Sequence, residues 1–417
     1  MKDKKVALVH DFLVCRGGAE KVLQTLSEMF PEAPIYTLLY DKDAMRGMFA
    51  DRDIRPSFLQ KFPRFLRKRY RFLLPFFPVA VEAFDLRDFD VVISSSGAWS
   101  KGIVTRLDTK HIAYIHSPMR YVWDYNEQYL RETGGGHFNI FKRMLLSYLR
   151  VWDREAADRP DFLVANSVYT QSRIAKYYRH KSVVIYPPIA CHPELPPERT
   201  ISVRAGVSGS RTNEANPERE GMLKQPARNA THNVAGGVQH DGSASFFGFK
   251  SKEYFLVVSR LTPNKKVELV VEAFNKLGLP LIVVGEGKQK QHLIHIAKPK
   301  IKIVGWQDDD RVAHLYTNAR ALIFPAEDDF GMVMVEAMLH SVPVIAYAEG
   351  GAKEIVREGV TGEFFRAQTP EIMADGVRRF LENEGNYDAK IILESAKRFS
   401  REQFEHDMHN AIQLALK

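Results

Sequence analysis

Short apolar runs that recur between amphipathic helical segments constrain this chain more than any other feature of its sequence. Residues 5–10, 90–95, 111–115, 161–165 and 183–186 form such runs in the first half. Residues 254–258, 279–284, 301–304, 321–324 and 343–346 form them in the second. Most are continuous in hydrophobicity. A strand with one wet face alternates, whereas a continuous run belongs to a strand covered by helices on both faces. Segments 20–28, 170–178, 267–276, 311–318 and 331–340 carry helical periodicity between them. This alternation predicts parallel sheets and an α/β fold. At 417 residues the chain is too long for one ordinary core, and two α/β domains are expected.

A change of texture separates the halves. From about 194 to 243 the chain is rich in Gly, Ser, Asn, Arg and Glu without apolar periodicity. Such a stretch buries too little surface to offset its ordering entropy and reads as a disordered insertion. The expected division is therefore a first domain over 1–190, a linker with its insertion over 191–250, and a second domain over 251–397. Residues 398–417 carry an amphipathic helix able to pack back on the N-terminal domain. Two cysteines, Cys15 and Cys191, make no disulfide framework, and no Cys/His spacing suggests structural zinc. With no signal-peptide pattern and no run of about 18 apolar residues, a cytoplasmic protein is expected.

The formal net charge is +8, and its excess is concentrated. Arg55, Lys61, Arg64, Arg67, Lys68, Arg69 and Arg71 are interleaved with Phe58, Leu59, Phe62, Phe65, Leu66 and Tyr70, and an almost wholly apolar stretch follows over 72–79. Residues 55–79 fit two readings: a solvated helix packed by its apolar side, or peripheral contact with an anionic membrane face. No nucleic-acid module accompanies the patch, so nucleic acid is not an expected partner.

In open α/β sheets, ligands bind beyond the carboxyl ends of the strands, and four loops of the second half fall there. The loop after 254–258 carries Arg260 and Lys265, cations suited to a diphosphate or to a solvated surface. Residues 283–288 hold Gly-x-Gly without the third glycine of a dinucleotide fingerprint, and read as a tight turn. In the third loop Trp306 either borders a nucleobase or packs beneath the chain. Its neighbours Asp308, Asp309 and Asp310 cap the next helix rather than binding metal. The fourth loop is the richest. After a strand ending at Phe324 come Glu327, Asp328 and Asp329, and then a helix start. The backbone N–H groups of Phe330, Gly331 and Met332 would favour a phosphate there. Glu336 follows among the apolar neighbours Val333, Val335, Ala337 and Met338. A carboxylate in such surroundings has a partner or a purpose, and carboxylates accept well from vicinal sugar hydroxyls.

On these residues the chain resembles the family-4 glycosyltransferases of the GT-B fold, in which two Rossmann-like domains face across a cleft. The second half carries Ser-Arg-Leu at 259–261, Gly-Trp-Gln at 305–307, Asp-Phe-Gly-Met-Val-Met-Val-Glu-Ala at 329–337, Pro-Val-Ile-Ala at 343–346 and Gly-Gly-Ala-Lys-Glu at 350–354. The first half carries Val-His-Asp at 9–11, Arg-Gly-Gly-Ala-Glu-Lys at 16–21, His-Ser-Pro-Met-Arg-Tyr at 116–121 and Ala-Asn-Ser at 165–167. These motifs most resemble mannosyltransferases of surface-polysaccharide assembly, which use GDP-mannose.

The resemblance implies roles. Arg260 and Lys265 would bind the donor diphosphate, and Glu336 the ribose hydroxyls. Asp328 would contact the transferred sugar where the family carries a glutamate; with its shorter side chain, either Glu327 substitutes or the donor contact is looser. Gly17 and Gly18 would lie against the donor phosphates, and His116 would contact the sugar. The implied reaction retains anomeric configuration, needs no cofactor or essential metal, and passes a hexose to a lipid-linked or glycan acceptor. Two other readings compete: a nucleotide-sugar 2-epimerase on the same scaffold, and a non-catalytic sugar-nucleotide binder.

Overall fold

In the computed structural model of the chain, residues 4–132, 140–189 and 247–417 are described. The insertion expected over 194–243, and Cys191 with it, lies outside them. The described chain builds two wholly parallel sheets. The first contains β1 (Val6–Leu13), β2 (Ile35–Tyr40), β3 (Ile54–Pro56), β4 (Val91–Ser96), β5 (Lys110–Ile115), β6 (Phe162–Ala165) and β7 (Val183–Val184), in the order β3-β2-β1-β4-β5-β6-β7. The second contains β8 (Phe255–Val258), β9 (Leu281–Val284), β10 (Ile301–Gly305), β11 (Ala321–Phe324), β12 (Val344–Tyr347) and β13 (Gly362–Phe365), in the order β10-β9-β8-β11-β12-β13. Two Rossmann-like α/β domains, as the continuous apolar runs predict, account for the described residues. β2, β3 and β13 are strands that the sequence reading did not anticipate.

Burial explains the continuous runs. Phe255, Val257, Leu281, Val283, Ala321 and Ile323 point into one core, while Leu256, Ile282, Val284, Leu322 and Phe324 enter another on the opposite face. In the first sheet Ala7, Val9 and Val92 divide in the same way from Leu8, Val91 and Ile93. Both faces of each sheet are therefore dry, and period-two alternation has nothing to report. In each sheet the strand order reverses once, between β1 and β4 and between β8 and β11. Loops leaving the carboxyl ends of those four strands diverge and leave a crevice, the place where α/β sheets take ligands.

The segment 55–79 is not one helix. It runs through β3, short 3-10 turns at Phe58–Lys61 and Tyr70–Phe76, and a helix at Arg64–Lys68 before the helix Phe77–Glu82. Pro56, Pro63, Pro75 and Pro78 interrupt it, because proline removes a donor and obstructs the preceding turn.

The last helix, Arg401–Ala415, crosses back to the first half. Phe404, Met408, Ala411 and Ile412 join the core formed by Leu8, Ile112 and Tyr114, and Arg401 pairs with Glu28. Phe404 is 1% exposed, with its ring centroid 5.8 Å from that of Tyr114. We expect Phe404→Ala to cost about 3–5 kcal/mol. Urea denaturation would measure the loss; a change within error would show that this helix contributes little to holding the halves.

Candidate functional site

Both switch points deliver their loops to one place. From the first sheet, β1 runs out at Leu13 into the Gly17-Gly18 bend, where the helix Gly18–Met29 begins. From the second, β8 leads to Arg260 and Lys265, and β11 leads through Glu327, Asp328 and Asp329 to the helix Met332–Leu339. Gly331, at φ +98°, precedes that helix. A side chain there would be strained by its backbone and would also strike Met334 and Phe324, so glycine is required. The bend from the first half reaches the same helix start. A Cβ on Gly18 would lie 2.7 Å from the Met332 sulfur.

The three acidic residues of the β11 loop take different partners. Asp329 turns to the first half, where Arg173 and Arg120 meet its carboxylate, the latter at 3.1 Å through Nε. Arg173 is 5% exposed and also holds Asp124 at 2.9 Å and the Ser117 hydroxyl at 2.7 Å. The Ser167 hydroxyl donates to the Asp329 carbonyl at 2.6 Å, and Arg120 donates to the Glu327 carbonyl at 2.8 Å. The exposed Glu327 carboxylate accepts from the Tyr169 hydroxyl. Asp328, between them, turns to its own half and pairs with Lys265. Burial pushes the Asp328 carboxyl up, but Lys265, Arg120 and Arg260 more than offset this and hold it below the usual carboxylate range.

Glu336 lies in the Met332–Leu339 helix, facing the first half. Lys21 donates to its Oε1 at 2.7 Å, and the Tyr316 hydroxyl donates to Oε2 at 3.1 Å. Glu336 raises the Lys21 pKa against the effect of burial, while burial first and Glu336 second keep Tyr316 a neutral donor. Each carboxylate oxygen keeps a further acceptor position. Two more contacts cross between the halves nearby. The Arg46 guanidinium stacks 3.8 Å over the Trp306 ring, which is half exposed, and Arg16 reaches Asp309 at 3.3 Å. Asp308 caps the following helix by accepting from the Arg311 N–H, the role its position predicts.

His116 follows β5. Its Nε2 lies 2.7 Å from the Ser95 hydroxyl, and its carbonyl accepts from Asn166 at 3.0 Å. Burial, with a smaller contribution from His10, drives its pKa down to about 3, so the ring is neutral at physiological pH. The next residue, Ser117, shares Arg173 with Asp329.

The structure therefore gathers Gly18, Asp328, Glu336, Lys265 and the Gly331–Met332 helix start at one seam, with Arg260 close enough for its charge to act on Asp328. It places Trp306 under Arg46, Glu327 against Tyr169, and the Phe330 ring in the core beside Tyr186 and Phe399. The carboxylate beside Lys265 is that of Asp328, not Glu327. Arg120, Arg173, Ser167, Lys21 and Tyr316 were given no role from sequence. Arg120, Ser167 and Lys21 sit in the quoted motifs and Arg173 in the helical segment 170–178, but a cation in a motif does not name the acid it meets. Among the described residues no three of His, Cys, Asp or Glu gather closely enough to hold a metal ion.

Beside Cys15 the first half also holds a pocket of about 540 Å³, lined by Tyr40, Asp41, Lys42, Gln60, Arg64, Arg67 and Tyr70 among others.

Known proteins share this fold. The sequence profile of the family "Glycosyl transferases group 1" matches residues 244–403, and that of "Glycosyltransferase Family 4" matches residues 16–192. An uncharacterised glycosyltransferase of Methanocaldococcus jannaschii is 28% identical over 166 residues, covering 37% of this chain and 42% of the relative. The N-acetyl-alpha-D-glucosaminyl L-malate synthase of Bacillus anthracis is 28% identical over 149 residues, covering 33% of this chain and 39% of the relative. The chain thus spans less than half the length of these relatives. Among solved structures, Anabaena HepE in complex with UDP and glucose superposes with a TM-score of 0.64 at 15% identity, covering 98% of this chain and 99% of that one. Sucrose-phosphate synthase from Thermosynechococcus elongatus gives 0.64 at 14% identity, covering 98% of each. At these identities the likeness is one of fold.

The Asp328 environment is testable through its titration. Its folded pKa is depressed, so its charge stabilises the fold above the unfolded pKa, and that contribution is lost as pH falls through the folded value. We expect Lys265→Met to leave burial less opposed and to raise this pKa, read by carboxyl ¹³C NMR. An unmoved titration would show that Lys265 is not the counter-charge.

Proposed function

We propose that this chain, which has the two-domain GT-B fold of the group 1 and family 4 glycosyltransferases, is a retaining glycosyltransferase. It would move a hexose from a nucleotide sugar to a lipid-linked or glycan acceptor. The observation that carries this is the meeting of Lys265, Asp328, Glu336 and the Gly331–Met332 helix start from one half with Gly18 and Lys21 from the other.

Glycosyl transfer from a nucleoside diphosphate leaves negative charge on the departing diphosphate, and stabilising that charge is the largest lever available to these residues. Arg260, Lys265 and the outward N–H groups at the helix start supply the opposite potential. Glu336, held by Lys21 and Tyr316, would accept from the ribose hydroxyls, and Asp328 from hydroxyls of the sugar. Neutral His116 would meet the sugar from the first half. Binding at both faces draws the halves together and excludes water from the reacting carbon.

The resemblance to mannosyltransferases of surface-polysaccharide assembly makes GDP-mannose the proposed donor. A thermal-shift panel of GDP, UDP and ADP with their sugars tests it, because a ligand at 100 times its Kd adds about 2.7 kcal/mol to stability. We expect GDP and GDP-mannose to raise the melting point most. Incubation with labelled GDP-mannose and membrane extract should pass the label to an acceptor. Label moved only within the nucleotide sugar would establish the epimerase instead, and binding without turnover a sugar-nucleotide binder. Glu336→Gln should weaken nucleotide binding about tenfold.

The acceptor side is proposed to lie at the pocket lined by Arg64, Arg67 and Tyr70, next to an anionic membrane surface met through residues 55–79. Phe65, Phe72, Phe76 and Val79 are exposed there beside arginines. The helix Ile140–Ala156 buries Leu146, Leu149 and Trp152 in the same core as Leu73 and Phe77, and leaves Phe141, Met144, Tyr148 and Val151 outside. No described helix is long and apolar enough to cross a membrane. Co-sedimentation with vesicles should require anionic lipid, weaken with salt and fall in the Phe72→Ser, Phe76→Ser double variant. Equal sedimentation of parent and variant would remove the membrane contact.

A further inference from the structure

Between His116 and the glycine bend lies a buried series of polar groups to which glycosyl transfer gives no direct part. The Ser95 hydroxyl sits between two imidazoles, 2.7 Å from His116 Nε2 and 3.1 Å from His10 Nδ1. Beyond His10, its Nε2 faces Glu20 Oε1 at 3.6 Å. Ser95 is fully buried, and His10 and Glu20 are 3% and 8% exposed. The far end of the series touches the donor-side turn, since a Cβ on Gly17 would lie 2.9 Å from Glu20 Oε2.

A serine hydroxyl has one proton and can donate to only one of two ring nitrogens. The other nitrogen must carry its own proton and donate to the oxygen. The protonation of the two rings is therefore linked through Ser95. The direction follows from Glu20, whose carboxylate favours a proton on the nearer nitrogen of His10, Nε2. At 3.6 Å the contact is longer than a charge-assisted hydrogen bond and places a single Nε2–H opposite the carboxylate. With its ring proton on Nε2, His10 offers a bare Nδ1 to Ser95. Ser95 donates to it and accepts from His116 Nε2–H.

We infer that Glu20, His10 and Ser95 are positioning residues that hold His116 in its Nε2–H tautomer and leave Nδ1 as a hydrogen-bond acceptor. Among the described residues nothing hydrogen-bonds to that Nδ1. Its use rests on the proposed role of His116 against the sugar. There an acceptor nitrogen receives a hexose hydroxyl, whereas a sugar carboxylate would meet it lone pair to lone pair. The device thus selects for a neutral hexose at this contact. Because His116 stays neutral down to about pH 3, it carries a single ring proton to be placed. Among the described residues the ionisable groups facing the series include Glu20 on His10, and His10 and the buried Tyr114 on His116, with the exposed Cys15 beside Glu20.

Long-range ¹H–¹⁵N correlation of the histidine-labelled chain reads the tautomers directly, with His116 assigned by its loss in His116→Gln. We expect a protonated Nε2 and an unprotonated Nδ1 on His116 in the parent. In Glu20→Gln, whose uncharged amide can donate to or accept from His10 Nε2, the preference is lost and both rings should show mixed tautomers. In Ser95→Ala, His116 should show mixed tautomers, and kcat for sugar transfer should fall about tenfold with the donor KM little changed. A His116 protonated on Nδ1 in the parent, or unaltered in Glu20→Gln, would overturn the inference. The spectra stand apart from turnover. The expected tautomers in a chain that transfers no sugar would uphold the relay and refute the glycosyltransferase reading.

Discussion

Asp329 is the residue on which the seam between the two halves depends. It belongs to the second half, yet its carboxylate is met by Arg120 and Arg173 and its carbonyl by Ser167, all three from the first. A buried arginine is tolerated only when its charge is compensated, and for Arg173 burial is offset by Asp329 and Asp124. Removing either acid would leave an uncompensated charge in a dry place. The β11 loop is thereby held from outside its own domain.

That restraint separates three neighbouring acids that would otherwise repel one another. Glu327 and Asp329 face Tyr169 and the arginines of the first half, while Asp328 between them faces Lys265. The same seam is closed at two further points. Glu354 accepts from the N–H groups of Val168 and Tyr169 at 2.8 Å each, capping a first-half helix from the second half. Lys21 returns the exchange on Glu336. Charged groups thus cross the seam in both directions, and the Arg401–Ala415 helix adds an apolar tie at its back.

Features set by local chemistry were readable in advance. The strands showed as apolar runs because both sheet faces are dry, and the Asp308 cap and the helix start at Gly331 showed because capping and turn geometry depend on neighbouring residues. β3 was not legible, since its three residues carry no period of their own, and the segment that follows reads as one amphipathic helix only if its prolines are ignored. The arginine pair on Asp329 could not be read at all. Arg120 and Asp329 lie 209 positions apart, and nothing in either local pattern selects the other.

Sequence by itself determined the architecture and the stock of reactive groups. Continuous hydrophobic runs that alternate with helical patterns fit strands covered on both sides, and the charged residues after those strands emerge at the carboxyl edge. Tertiary structure alone decided which charges meet: Lys265 with Asp328, Lys21 with Glu336, Ser95 between His10 and His116. The reason is physical. Hydrophobic burial is non-directional and leaves its mark on every few residues of the chain, whereas an ion pair or a hydrogen bond forms between single atoms that only the closed fold brings within about 3 Å of each other.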